Sequence, residues 1–129
     1  MDITQIKETC LYVRDLKASK DFYHHKLAFE VIGEVEGNHI FFRVGSSVLL
    51  CFIPETSKEK KSPPPHFAYG NQHIAFEVAP EQYLEWKTKV LELGIEIIQE
   101  QEWKNNLKSF YFLDPDNHVL EIVPRGIWD

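Results

Sequence analysis

From residue 8 to residue 13 the chain alternates, with Thr9, Leu11 and Val13 on one side and Glu8, Cys10 and Tyr12 on the other, which predicts a half-buried strand. Asp15 then offers a helix cap. Leu16, Ser19, Phe22, Tyr23, Lys26 and Leu27 recur at helical spacing, so one amphipathic helix runs to an exit at Ala28-Phe29. Three short β-like runs follow at about 29–36, 39–44 and 48–53, separated by the turn-forming Gly37-Asn38 and Gly45-Ser46-Ser47. Residues 54–70, with Lys58-Glu59-Lys60-Lys61 and Pro63-Pro64-Pro65, have the composition of an exposed, partly extended connector.

The second half repeats this order. A strand at 73–78 leads through Pro80 into a helix carrying Tyr83, Leu84, Lys87, Val90 and Leu91 and closed by Gly94. Further strands are predicted at 95–100, 107–113 and 118–123. The last two flank Asp114-Pro115-Asp116-Asn117, four turn-favouring residues, and so read as a hairpin. Two β-α-β-β-β modules result, about 5–53 and 71–124, joined by the 54–70 linker in a single α+β domain spanning 1–129. Laying 8–13 on 73–78 matches the apolar positions, makes Glu8 and His73 equivalent, and brings 48–50 near 119–121.

Charge and composition narrow the partners. A net charge of -6 and a pI near 5.5 argue against nucleic acid or an anionic membrane, both of which reward clustered Lys and Arg. Cys10 and Cys51 sit in apparent strands without a disulfide framework, the N-terminus lacks a signal-peptide core, and no apolar run nears the length of a membrane span. A cytoplasmic protein with reduced thiols is expected. Nine Phe, five Tyr and three Trp suit a lined cavity, a large interface or the core itself.

The hairpin carries the first chemistry. Alternation puts Val119, Glu121 and Val123 on one face and His118, Leu120 and Ile122 on the other, so Glu121 is a lone carboxylate among apolar neighbours. A metal, a cation or a proton can meet its charge. His73 shares that face if its strand pairs beside Glu121, and Glu77, two residues on, is placed to act as a base or to face water. Tyr12, Phe42, Trp103, Phe110 and Phe112 are candidate pocket walls or core. His24, His25, His39 and His66 read as surface residues, and His118 points away from Glu121.

The paired modules, the opening Leu11-Tyr-Val-Arg-Asp-Leu-Lys-Ala-Ser-Lys-Asp-Phe-Tyr, and the closing Tyr111-Phe-Leu-Asp-Pro-Asp-Asn-His-Val-Leu-Glu resemble the vicinal oxygen chelate superfamily. That superfamily includes glyoxalase I, bleomycin-resistance proteins, extradiol dioxygenases and fosfomycin thiol transferases. The resemblance spans nearly the whole chain and implies a curled mixed sheet around a cavity, with Glu8, His73 and Glu121 as metal ligands. Two positions depart from the family pattern: Glu8 stands where His is usual, and Leu50-Cys51 where glyoxalase I supplies a glutamate. One imidazole and two carboxylates suit Mn²⁺, Fe²⁺, Ni²⁺ or Mg²⁺ better than Zn²⁺.

Gly45-Ser-Ser-Val-Leu-Leu-Cys, Trp103-Lys104 and Ser109-Phe-Tyr-Phe-Leu-Asp-Pro-Asp are similar to fosfomycin thiol transferases, which implies catalytic roles for Lys104 and Tyr111 and a thiol co-substrate. Glu8, and Cys10 in place of a usual Thr, count against fosfomycin itself. The resemblance thus implies a homodimeric, metal-dependent lyase, isomerase, transferase or ring-opening enzyme acting on a small oxygen-rich substrate. The alternative it leaves open is a metal-free, drug-sequestering binder of the bleomycin-resistance type.

Overall fold

In the computed structural model, which describes residues 1–129, the chain forms two compact units, Met1–Gly70 and Asn71–Asp129, each built on one four-stranded mixed sheet. In the first unit β1 (Glu8–Tyr12) leads to a helix started by Asp15, whose carboxylate accepts from the Lys17 and Ala18 amides at 2.9 and 3.3 Å. This helix, α1 (Leu16–Lys20), continues as a π-helical segment, Asp21–Lys26, with a wide-turn bond from the Leu27 amide to the Phe22 carbonyl. The expected single amphipathic helix is therefore one helical run with two windings. It buries Phe22 and Tyr23.

Strands β2 (Glu30–Val35), β3 (His39–Val44) and β4 (Ser47–Phe52) complete the sheet in the order β1-β4-β3-β2, with β1 parallel to β4 and the rest antiparallel. The register slips between Val31 and Gly33, and Gly33 lies against the Phe41 ring. A Cβ there would meet Phe41 at 3.2 Å, so glycine gives that ring its room. Leu11, Ile40, Phe42, Leu49 and Cys51 form the buried face, on which α1 packs. Each large side chain buried there stabilises the unit by about 1.5–3 kcal/mol before ordering costs. Glu8, Cys10, Tyr12, Leu50, Phe52, His39 and Phe41 share the other face.

Residues 54–70 are not simply an exposed connector. Pro54 opens a short helix, α2 (Pro54–Ser57), with Pro54 and Ser57 buried. Prolines and lysines describe the exposed part of the stretch, but side-chain hydrogen bonds hold the rest against the sheet.

The second unit has the same topology. Strands β5 (His73–Val78), β6 (Gln99–Glu102), β7 (Lys108–Leu113) and β8 (Val119–Pro124) order as β5-β8-β7-β6, with β5 parallel to β8. Helix α3 (Tyr83–Glu92) follows a 3₁₀ turn at Pro80–Gln82 and ends at Gly94, whose φ of 77° favours glycine. Its packing stripe is narrower than its apolar content suggests. Tyr83 and Val90 are buried, whereas Leu84 and Leu91 are 72% and 55% exposed.

The strand expected at 95–100 begins instead at Gln99. Ile95 is buried below the helix end, and backbone pairing with β7 makes a strand of Gln-Glu-Gln-Glu despite its weak β propensity. Tyr83 and Lys87 both donate to the Glu100 carboxylate, at 2.8 and 2.9 Å, which ties α3 to this polar edge and holds the Glu100 carboxyl below its usual range. Phe110, Phe112, Leu120 and Ile122 fill the core beneath α3, so Phe42, Phe110 and Phe112 are core residues, not pocket walls.

Candidate functional site

The β7–β8 connection is organised by Asp114, whose buried carboxylate accepts from the Asp116 and His118 amides at 2.9 and 2.8 Å, while Asn117 takes a left-handed φ of 65°. His118 is buried, and its Nδ1 accepts from the Gln72 amide at 3.0 Å. The Val119 amide in turn donates to the Gln72 carbonyl at 2.8 Å. This clamp sets β5 beside β8 so that His73 pairs with Val119 and Ala75 with Glu121. Gln72 and His118 are positioning residues that the strand pattern did not reveal; a histidine on the apolar face beside a turn was the available signal.

That register makes His73 and Glu121 diagonal neighbours, with only the Ala75 methyl group beside Glu121 on β5. His73 Nε2 lies 3.3 Å from Glu121 Oε1. The two side chains differ in access, His73 being 51% exposed and Glu121 7%. His73 Nδ1 is 2.7 Å from the Val119 carbonyl oxygen, which can only accept, so Nδ1 carries a proton and donates it. Nε2 therefore turns either a lone pair or a second proton toward the carboxylate. A lone pair facing a carboxylate oxygen at this distance is repulsive unless a cation lies between them, and Glu121 has no Lys or Arg partner.

Tyr111 lies directly opposite Glu121 on β7, its ring centroid 6.1 Å from that of His73. Burial pushes its hydroxyl pKa up against the opposing hydrogen bond of Ser109, and the Glu121 charge adds to the rise. Tyr111 therefore remains a phenol with a proton to donate. Thus the second unit brings together His73, Glu121 and Tyr111.

The other expected site residues sit elsewhere. Lys104, in a 3₁₀ turn at Lys104–Asn106, donates from Nζ to the Asp129 carbonyl at 3.0 Å. Glu77 shares the His73 face further along β5, with an oxygen 4.0 Å from Arg125 Nε and most of its side chain exposed. Trp103 donates from Nε1 to the Ser109 hydroxyl at 2.9 Å. Glu8 belongs to the first unit, exposed and paired with Val48, in the register position that His73 holds in its own sheet. Leu50 occupies there the place of Glu121. Nowhere do three or more His, Cys, Asp or Glu side chains gather as a ready metal site, so the His73–Glu121 pair is the part of the expected triad that one unit builds by itself. Cys10, on the Glu8 face, is a free thiol whose pKa burial raises, against a hydrogen bond from Tyr12.

Comparison with known proteins agrees with this architecture. Among curated sequences, metallothiol transferase FosB of Staphylococcus epidermidis is 27% identical over 124 residues, covering 95% of this chain and 82% of the relative. FosB of Lysinibacillus sphaericus is 28% identical over 131 residues, covering 100% and 88%. Among solved structures, lactoylglutathione lyase from Agrobacterium tumefaciens superposes with a TM-score of 0.93 at 31% identity over 98% of both chains. The sequence profile of the Glyoxalase/Bleomycin resistance protein/Dioxygenase superfamily matches residues 5–122. With that match across both β-α-β-β-β units, the chain belongs to the glyoxalase/bleomycin resistance protein/dioxygenase superfamily.

Proposed function

We propose that the chain is a divalent-metal-dependent enzyme acting on a small oxygen-rich substrate by lyase, isomerase, thiol-transfer or ring-opening chemistry. The observation that carries this reading is the His73–Glu121 pair: an imidazole with its tautomer set by Val119, facing a buried carboxylate at 3.3 Å. Two donors bound to one ion at about 2.1 Å each lie about 3.0–3.4 Å apart at octahedral or tetrahedral angles, so the pair fits a shared cation. The register equivalence with His73 supports Glu8 as a third donor. One imidazole and two carboxylates leave the first shell near neutral and favour Mn²⁺, Fe²⁺, Ni²⁺ or Mg²⁺ chemistry over Zn²⁺.

The ion, when bound, supplies Lewis acidity to adjacent substrate oxygens. Val119 holds the His73 ring in place, the apolar surroundings of Glu121 keep its charge from being spread into water, and Tyr111 donates its retained proton to an oxygen gaining negative charge. Lys104 and Glu77 are the further groups proposed to meet substrate, as a cation and a base. Both would leave surface partners to do so. A thiol co-substrate, assembly as a homodimer and a cytoplasmic setting belong to the same proposal; no helix of the chain is long and apolar enough to cross a membrane.

The test is a substrate screen on protein stripped with chelator and reloaded with Mn²⁺, offering a thiol with an epoxide and a thiol with a dicarbonyl. Turnover that disappears on stripping and returns on reloading supports the proposal. Ligand retention by stripped protein, with no turnover in either state, would replace it with the metal-free binder.

A further inference from the structure

The first sheet carries, on the same face as Glu8, a cavity of about 280 Å³ that the proposed chemistry does not use. Tyr12, Phe52 and His39 form one rung of the sheet and Glu8, Val48 and Arg43 another. Four residues of strand, about 13 Å, separate the rungs. The volume lies just below the roughly 300–1,000 Å³ of pockets for drug-sized ligands and therefore suits a ligand of one or two rings.

The walls are aromatic and held in place. His39 lies flat on Phe41, with centroids 4.1 Å apart and planes within 8° of parallel. Phe52 meets both rings edge-on, and His66 stands edge-on to Phe52 at 4.7 Å. The Tyr12 hydroxyl and His66 Nδ1 hydrogen bond at 2.6 Å, the Ser57 hydroxyl donates to the His66 carbonyl at 2.6 Å, and the Thr56 hydroxyl donates to the Gly37 carbonyl at 2.9 Å. These bonds pin residues 54–66, including Pro63 and Pro64, as the far wall. Two histidines expected at the surface are thus built into a cavity.

The lining contains no Asp or Glu, and its one permanent charge is Lys60, which forms no ion pair with a carboxylate. In a chain of net charge -6 this reverses the local sign. Burial, with the Lys60 charge beside it, holds the His39 pKa below its ordinary value and leaves that ring neutral near pH 7. Flat apolar walls with a single ammonium group select a planar ring bearing one negative charge.

We infer that this cavity binds a small aromatic carboxylate, its ring against Phe41 and Phe52 and its carboxylate on Lys60. The site lies within one unit, shares no residue with the His73–Glu121 pair, and stands or falls without the metal proposal.

Calorimetric titration with naphthoate, naphthalenemethanol and decahydronaphthoate tests the aromatic ring and the charge separately. Naphthoate should bind about tenfold more tightly than either isostere, one charge-assisted hydrogen bond or one aromatic face accounting for each tenfold. Lys60→Met, an exposed change, should weaken naphthoate about tenfold and leave naphthalenemethanol within about twofold. Phe41→Leu should weaken both. Proton shifts of His39 and His66 should move on saturation, and the double variant His73→Ala/Glu121→Ala should bind naphthoate like the parent. Equal binding of the three probes, indifference to Lys60→Met, or loss of naphthoate binding in the double variant would each overturn the inference.

Discussion

Leu50 holds in the first sheet the position that Glu121 holds in the second: Leu50 pairs with Cys10 on the parallel first strand as Glu121 pairs with Ala75. Both residues are buried. One topology thus accommodates an apolar side chain at this place, so a carboxylate is not a requirement of the topology.

Glu121→Leu should accordingly leave the metal-free protein as stable as the parent or more stable by about 1 kcal/mol, because a buried charge is exchanged for a shape the fold already uses. Denaturant unfolding in chelator measures this. A loss above about 2 kcal/mol would mean that the Glu121 contact with His73 holds the fold together, and the functional reading of Glu121 would fail.

Glu8→His replaces a carboxylate by a neutral imidazole and leaves the proposed first shell more positive. The variant should raise the Zn²⁺ to Mn²⁺ affinity ratio about tenfold. Competitive titration at one pH checks it, since both donor types must lose protons to bind. An unchanged ratio removes Glu8 from the ligand set.

Asp114 fixes the turn of the site-bearing hairpin. Asp114→Ala strands the Asp116 and His118 amides and should destabilise the protein by about 3 kcal/mol, whereas Asp114→Asn, which keeps an acceptor, should lose about 1 kcal/mol. Equilibrium unfolding of the two variants separates the roles of acceptor and charge.

His39 gives the first unit a pH dependence of stated sign. Its pKa is held below the usual 6.5 by burial first and by Lys60 second, so the unfolded chain takes up its proton more readily than the folded one. The associated stability is present above about pH 6.5 and is lost as pH falls toward the folded value. Between about pH 7 and pH 5.5 the parent should lose more stability than His39→Phe, which keeps a ring on Phe41 without the titration. Parallel slopes for the two proteins would contradict this.

Much of this arrangement was legible in the chain. Strict alternation at 73–78 and 119–123 fixes faces, and the repeat relates Glu8 to His73, so His73 and Glu121 were expected on one face provided their strands lie side by side, as β5 and β8 do. What alternation cannot show is the interaction of side chains from distant segments. The π winding after Lys20, the late start of β6 and the burial of His118 all depend on tertiary contacts. The aromatic cavity was concealed for the same reason: its far wall is a Lys- and Pro-rich stretch whose composition reads as solvent-exposed, while Ser57, Thr56 and His66 hold it in place.

If His73 and Glu121 hold a divalent ion, the protein should be more stable in Mn²⁺ than in chelator. At a free concentration about a hundredfold above the dissociation constant, Mn²⁺ should stabilise the parent by about 2.7 kcal/mol. His73→Ala and Glu121→Leu should each lose that gain while remaining folded in chelator. An unchanged Mn²⁺ gain in both variants would contradict the claim, because the ion would then be held by other residues.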